Sequence, residues 1–265
     1  MYIIHSNNQA IATRINQKIN GKLSAKNNCF IIDNNELIDL NEFRNEFLVD
    51  INFLDDSVDM AKFKVFVSDM DSTLINIECI DEIADFANIK PQVASITEMA
   101  MAGKLDFNES LKSRVALLKN LDKSVLQKVY DEKLQINFGG VELISFLHNN
   151  NIITAVVSGG FDFFTSKLKQ KLNLNYELAN KLEIINNKLS GNTIGDIVNA
   201  DSKANFIDNL LIDNDKVITC GDGANDLKMM EKSGLSIAYH AKEVVNNYAD
   251  IVIKYGGLNK IIDLF

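Results

Sequence analysis

Residues 64–73 read KVFVSDMDST, an unbroken apolar run closed by two carboxylates. Nothing polar alternates with Val65, Phe66 and Val67, so the pattern predicts a strand covered on both faces, as inside a parallel sheet. Further runs follow at long intervals. IITAVVSGG (152–160) ends in Ser-Gly-Gly and KVITCGDGAND (216–226) ends in an acidic turn, while LSIAYH (235–240) and DIVIKY (250–255) are shorter. Helical patterns such as GVELISFLHNN (140–150) and SKANFIDNLL (202–211) separate them. Strands alternating with helices predict an α/β fold around a parallel sheet. Ligands in such sheets bind beyond the carboxyl ends of the strands, where all three polar clusters fall.

The 265 residues are 46% hydrophobic and 24% charged, the mix of a globular protein with a sizeable core and not of a disordered chain. A net charge of −9, from 27 basic and 36 acidic residues, lacks the basic field of a nucleic-acid binder. An anionic small substrate stays open, because a metal or a local cation reverses the field inside a cleft. Cys29, Cys79 and Cys220 are far apart and form no CxxC pair, so reduced thiols are expected, with neither a disulfide framework nor a zinc site. The apolar run near the start is too short for a secretory signal, and no stretch is long enough to span a bilayer. A cytoplasmic protein away from membranes is expected.

Residues 1–62 read as a small α+β unit, with strands at YIIH (2–5) and CFIID (29–33) and helices at IATRINQKI (11–19) and LNEFRNEFLV (40–49). It holds no catalytic constellation. Residues 63–265 form the main domain. Between its first two buried strands, about 77–137 has helical periodicity too long for an ordinary crossover, so an inserted helical cap is expected. Within it Asp106 and Glu109 have the spacing of a capping box. EIINNKLSG (183–191) reads as a hairpin turning at Asn186-Asn187.

Each polar cluster is a weak signal alone. Asp69 at a strand end can attack an electrophile and Asp71 can serve as acid and base, yet a lone DxD is equally a solvated turn. Ser158-Gly159-Gly160 lets backbone approach an anion at a helix start, but such turns are often purely structural. Asp222, Asn225 and Asp226 in a tight turn suit a hard cation such as Mg²⁺. Lys203 offers a cation for a phosphate.

In this order the segments DMDST (69–73), SGG (158–160), Lys203 and GDGAND (221–226) resemble the four motifs of the haloacid dehalogenase superfamily. Within it, DMDSTLINIECIDEIA (69–84), AMAGKLDFNESLKSRVALL (100–118), VVSGGFDFF (156–164) and CGDGANDLKMM (220–230) are similar to the phosphoserine phosphatase family. The resemblance spans about residues 63–255 and leaves 1–62 outside; a regulatory or dimerisation module is one reading of that unit. It implies a Rossmann-like parallel sheet with a helical cap, and Mg²⁺-dependent hydrolysis of O-phosphoserine, the last step of serine biosynthesis. It makes Asp69 the nucleophile and Asp71 the acid and base. Asp69, Asp222 and the Asp71 carbonyl would hold the metal, supported by Asp226. Ser158, Gly159, Lys203 and Asn225 would meet the phosphoryl group. Glu78 and Arg114 would read the amino acid, with Met101 and Phe107 covering it. Spacing adds independent support, since Phe107, Leu111, Arg114 and Leu118 share one helical face, and a buried arginine needs an anion. A sister phosphatase, or a phosphotransferase using another hydroxyl acceptor, stays open. So does a catalytically dead binding module, though the intact acids and Lys203 count against it. A homodimer is also left open.

Overall fold

Strand β5 (Val65–Ser68) forms because Val65, Phe66 and Val67 have apolar cover on both sides. Phe66 packs into the largest core cluster, with Leu143, Ile144 and Leu147 of one helix. Val65 and Val67 turn to the other side, against Ile207 and Met229. Burying each such side chain stabilises the fold by about 1.5–3 kcal/mol. The computed structural model describes every residue except Leu37 and Ala102, and of Met101 the backbone alone.

The described residues form two sheets. Strands β1 (Tyr2–Ile4), β2 (Lys22–Lys26), β3 (Cys29–Asp33) and β4 (Ile51–Phe53) make an antiparallel sheet in the order β2-β3-β1-β4. Strands β5, β6 (Ile153–Phe161), β7 (Tyr176–Ile185), β8 (Lys188–Ile194), β9 (Val217–Gly221), β10 (Leu235–Tyr239) and β11 (Ile251–Ile253) make the second, in the order β11-β10-β9-β5-β6-β7-β8. All its pairings are parallel except β7 with β8. The chain builds outward from β5 on one side through β6 and β7, then returns to lay β9, β10 and β11 on the other. That reversal opens a crevice beyond the ends of β5 and β9.

Helices α1 (Gln9–Ile19) and α2 (Leu40–Phe47) cover one face of the first sheet. Helices α3 (Cys79–Phe86), α4 (Lys90–Met101), α5 (Phe107–Leu117) and α6 (Ser124–Glu132) fill the predicted cap segment. Helices α7 (Gly140–Asn149), α8 (Asp162–Leu172), α9 (Ala200–Asp208), α10 (Leu227–Glu231) and α11 (Glu243–Asn246) accompany the second sheet. The capping box of α5 is formed, Asp106 Oδ1 accepting from Glu109 N at 2.8 Å and Glu109 Oε2 from Asp106 N at 3.1 Å. The β7–β8 hairpin turns at Asn186 and Asn187, at φ 51° and 63°, as a tight hairpin turn requires.

Strands β2 and β4 escaped the sequence reading. KLSAK is polar and largely exposed, and INF is three residues long, so neither has an apolar period. The Ser-Gly-Gly segment also differs from expectation. It lies inside β6 rather than after it, at a shift of register against β7.

Residues 1–62 are docked onto the second sheet. The Asn52 side chain completes the edge of β11 as a backbone would: Nδ2 donates to Val252 O at 3.0 Å, and Val252 N donates to Oδ1 at 2.8 Å. The Asp50 carboxylate accepts from the backbone N–H groups of Lys254, Tyr255 and Gly256. His5, unassigned by sequence, bridges the buried Asp263 (3.0 Å) and Asn52 (3.1 Å). Among the described residues no helix is long and apolar enough to cross a membrane.

Candidate active site

Asp69 ends β5 at the crevice, its N–H donating to Cys220 O at 2.9 Å in continuation of the β5–β9 ladder. The chain then makes one irregular turn. Ser72 takes φ 56°, Ile75 N donates to Met70 O at 3.0 Å, and Asn137 Nδ2 donates to the carbonyls of Thr73 and Ile75. That turn brings Asp69 and Asp71 onto one cavity of about 300 Å³.

Lys203, on the first turn of α9, is entirely buried behind Asp69. Its Nζ lies 2.8 Å from Asp69 Oδ1 and 2.7 Å from Asp226 Oδ1. The other oxygen of Asp226 accepts from the N–H groups of Asp222 (3.2 Å) and Gly223 (3.1 Å), so it stiffens the acidic loop. Asp222 Oδ1 accepts from Thr73 Oγ1 at 3.0 Å. Carboxylate oxygens of Asp69, Asp222 and Asp226 lie within 4.8 Å of one another. An all-oxygen set of this kind fits a hard divalent cation. Both Asp226 oxygens are already engaged, which leaves Asp69 and Asp222 the freer ligands.

The electrostatics are those of crowded acids in a low dielectric. Burial, then Asp226, hold the Asp69 carboxyl well above the usual range despite Lys203. Burial and Glu78 push Asp71 up to about 7. Burial and Asp226 push Asp222 up to about 6. Burial works against the charge of Lys203, but Asp226 and Asp69 outweigh it and raise its proton affinity. A bound cation reverses the direction for the acids.

Asp71 Oδ1 accepts from Cys79 N at 2.9 Å, and Ser158 Oγ approaches Oδ2 at 3.4 Å. The glycines after Ser158 are closely approached by site side chains. A Cβ on Gly160 would stand 2.4 Å from Asp71 Oδ2, and one on Gly159 would stand 2.8 Å from Phe107 of the cap.

The same cavity gathers Glu78, Phe107, Arg114, Gly159 and Asn225. Glu78 stands at the N-cap position of α3 without a side-chain capping bond, and Ser72 Oγ donates to its Oε1 at 2.7 Å. Arg114 is half-buried on α5, between the fully buried Leu111 and Leu118, and donates from Nε to Ser110 O at 3.4 Å. Burial lowers its proton affinity, offset by Asp81, Glu78 and Asp71. The guanidinium therefore faces the cavity and its acids instead of snorkelling away. The Met101 side chain lies outside the described residues.

Residues 63–234 match the haloacid dehalogenase-like hydrolase family. The phosphoserine phosphatase of Albidiferax ferrireducens is 42% identical over 215 residues, covering 78% of this chain and 91% of that one. This chain belongs to the phosphoserine phosphatase family of the haloacid dehalogenase-like hydrolases. The unliganded structure of a probable phosphoserine phosphatase from Vibrio cholerae superposes with a TM-score of 0.87 at 33% identity, over 99% of this chain and 85% of that one. A phosphoserine phosphatase carrying a phospho-aspartyl intermediate analogue superposes at 0.72 with 39% identity, over 77% of this chain and 99% of its own.

Against that family membership, sequence reasoning passed over several residues at the site. Thr73, inside DMDST, positions Asp222. Asp81 and Thr97 line the cavity from the cap, and Lys242 lines it from just before α11, its N–H donating to Asp222 O at 3.0 Å. Thr73 lay inside a quoted motif and was open to detection. Lys242 and Thr97 sit in segments with no local mark of function.

Proposed function

We propose that this phosphatase hydrolyses O-phospho-L-serine to L-serine and phosphate through a phosphate ester of Asp69. The observation that carries the reading is the placement of Asp69 at the bottom of a cavity with Lys203 behind it, Asp71 beside it and Arg114 on the cap. Lys203 orients the Asp69 carboxylate, and a bound cation would favour its charged form. A carboxylate oxygen of Asp69 attacks phosphorus as the bond to the serine oxygen breaks, and Asp71 gives that oxygen its proton. Asp71 then takes a proton from water as the water attacks phosphorus, releasing phosphate and restoring the Asp69 carboxylate. Burial and the neighbouring Glu78, which raise the Asp71 carboxyl, favour the protonated form that the first duty needs.

Ser158 Oγ, the Gly159 N–H, Lys203 and Asn225 hold the phosphoryl oxygens. Arg114 pairs with the serine carboxylate and Glu78 with its ammonium, under Phe107. Mg²⁺ fits Asp69, Asp222 and the Asp71 carbonyl, with Asp226 in support. When bound it neutralises charge between carboxylate and phosphate, which otherwise repel. The three free, buried cysteines support a reducing, cytoplasmic location, and the reaction is the last step of serine biosynthesis.

The test is phosphate release from phosphorylated amino acids and sugars, with and without Mg²⁺ and with added alcohol acceptors. Metal-dependent release that favours O-phosphoserine is expected. Preference for a sugar phosphate, or transfer to an acceptor in place of release, overturns the reading.

A further inference from the structure

The Ser158–Gly160 segment bulges from its sheet. Val157 pairs with Leu178 of β7 and Phe161 with Asn180, so four steps of β6 run beside two of β7 and the residues between arch off the ladder. Two of those three residues are glycines, which set no backbone angle of their own. Asn180, on β7 and 2% exposed, holds the arch in place. Its Nδ2 donates to Gly159 O at 2.8 Å. The same amide grips the chain entering α9, where Oδ1 accepts from Val198 N at 2.8 Å and Nδ2 reaches Val198 O at 3.3 Å. Asn199 follows and caps α9, its Oδ1 accepting from the N–H groups of Asp201 and Ser202. The Asn199 carbonyl accepts from Lys203 N at 2.9 Å. One buried side chain therefore ties the backbone of Gly159 to the turn that carries Lys203. Asn180 itself does not line the active cavity.

We propose that Asn180 is a positioning residue for phosphoryl binding, setting the Gly159 N–H and the Lys203 ammonium at one fixed spacing. The inference rests on the reading that these two groups hold phosphoryl oxygens. A backbone N–H and an ammonium share one small anion only where their separation matches it, and donors already in place bind it better than donors that must first move. Without the amide, Gly159 O and Val198 N lose their partner, and the glycine-rich arch relaxes away from α9.

The test is inhibition of aryl phosphate hydrolysis by inorganic phosphate, in the full chain with Mg²⁺ and well below each variant's melting temperature. An aryl phosphate keeps the test separate from the identity of the natural ester. Asn180→Ala, which empties the position, and Asn180→Leu, which fills it with nothing that can pair, should each raise the inhibition constant of phosphate about 10- to 100-fold, the scale of a hydrogen bond to a charged group. KM for the aryl phosphate should rise with it. Leu172→Ala removes a core side chain at the last residue of α8. It should lower stability yet leave phosphate inhibition within about twofold. In the unmodified chain, phosphate with Mg²⁺ should slow amide hydrogen exchange at Val198 as well as at Gly159, a readout that depends on no variant folding. The proposal is overturned if folded Asn180 variants bind phosphate as the wild type does, or if Leu172→Ala weakens phosphate as much as they do. It is also overturned if phosphate slows exchange at Gly159 and not at Val198. A wild-type enzyme that phosphate does not inhibit overturns the phosphoryl reading of Gly159 and Lys203, and this proposal with it.

Discussion

The ammonium of Lys203 stands 2.8 Å from Asp69 Oδ1, the lysine wholly out of water and the aspartate 6% exposed. Lys203 also serves Asp226, so one buried cation faces two buried acids. Such a pairing is expensive to leave half-made. Lys203→Met, which keeps the apolar stem, should lower stability by about 3–5 kcal/mol and turnover by at least about 100-fold. Denaturant unfolding and steady-state kinetics check both. Wild-type stability in the variant would show that the charge is not structurally coupled to Asp69.

Asp69→Asn should leave the fold intact, because an amide oxygen still accepts from Lys203 Nζ and Met70 N. Turnover should fall by about several orders of magnitude, since an amide cannot form the phosphate ester. Kinetics on a folded variant, with attempted trapping of phosphoenzyme, decide it. Retained turnover rules out Asp69 as nucleophile.

Arg114 and Glu78 should govern which ester is accepted. Arg114→Ala should reduce kcat/KM for O-phosphoserine by about 30- to 5,000-fold, the range for losing one partner of a desolvated ion pair. Glu78→Gln should cost less, as its amide oxygen still accepts. An aryl phosphate has neither amino nor carboxylate group and should lose far less activity. Equal losses on both substrates would mean these residues shape the cap and do not read the amino acid.

Stability without metal should depend on pH through the acids. The folded carboxyls of Asp71, at about 7, and Asp222, at about 6, bind protons more tightly than their ordinary value of 3.8. Their contribution is therefore present at low pH and lost as pH rises from about 4 through about 7. In metal-free protein, Asp222→Asn should be more stable than wild type at pH 8, by on the order of 2 kcal/mol or about 4–8 °C in Tm. The gap should close toward pH 4. Mg²⁺ should raise the wild-type Tm increasingly over the same window and act little on the variant. Thermal melts with chelator or Mg²⁺ across pH test this, and a pH-independent gap refutes it.

Removal of residues 1–62 should leave kcat within about tenfold, because every residue lining the active cavity lies beyond them. Stability should drop, since the β11 edge loses Asn52 and Asp263 loses His5. Kinetics and melting of the shortened chain check the split. A folded, inactive truncation would implicate the N-terminal unit in the site.

Sequence by itself determined the strands at Val65–Ser68 and Val217–Gly221, the α/β class and the order of the acidic motifs. Strands buried on both faces must be continuously apolar, and their polar ends stand out against that background. The spacing on α5 likewise placed Arg114 on the face of Leu111 and Leu118. Only the tertiary structure decided what closes around those motifs. Lys203 is an unremarkable lysine in DSKA until α9 folds beneath β5 and puts it between Asp69 and Asp226. Asn52, in a three-residue strand, becomes the splice to Val252 by hydrogen bonds spanning 200 residues. His5 acquires partners at Asn52 and Asp263 the same way. Periodicity reports which face of an element is buried. It says nothing about which distant polar group will meet a side chain there, because that choice depends on how separate elements pack.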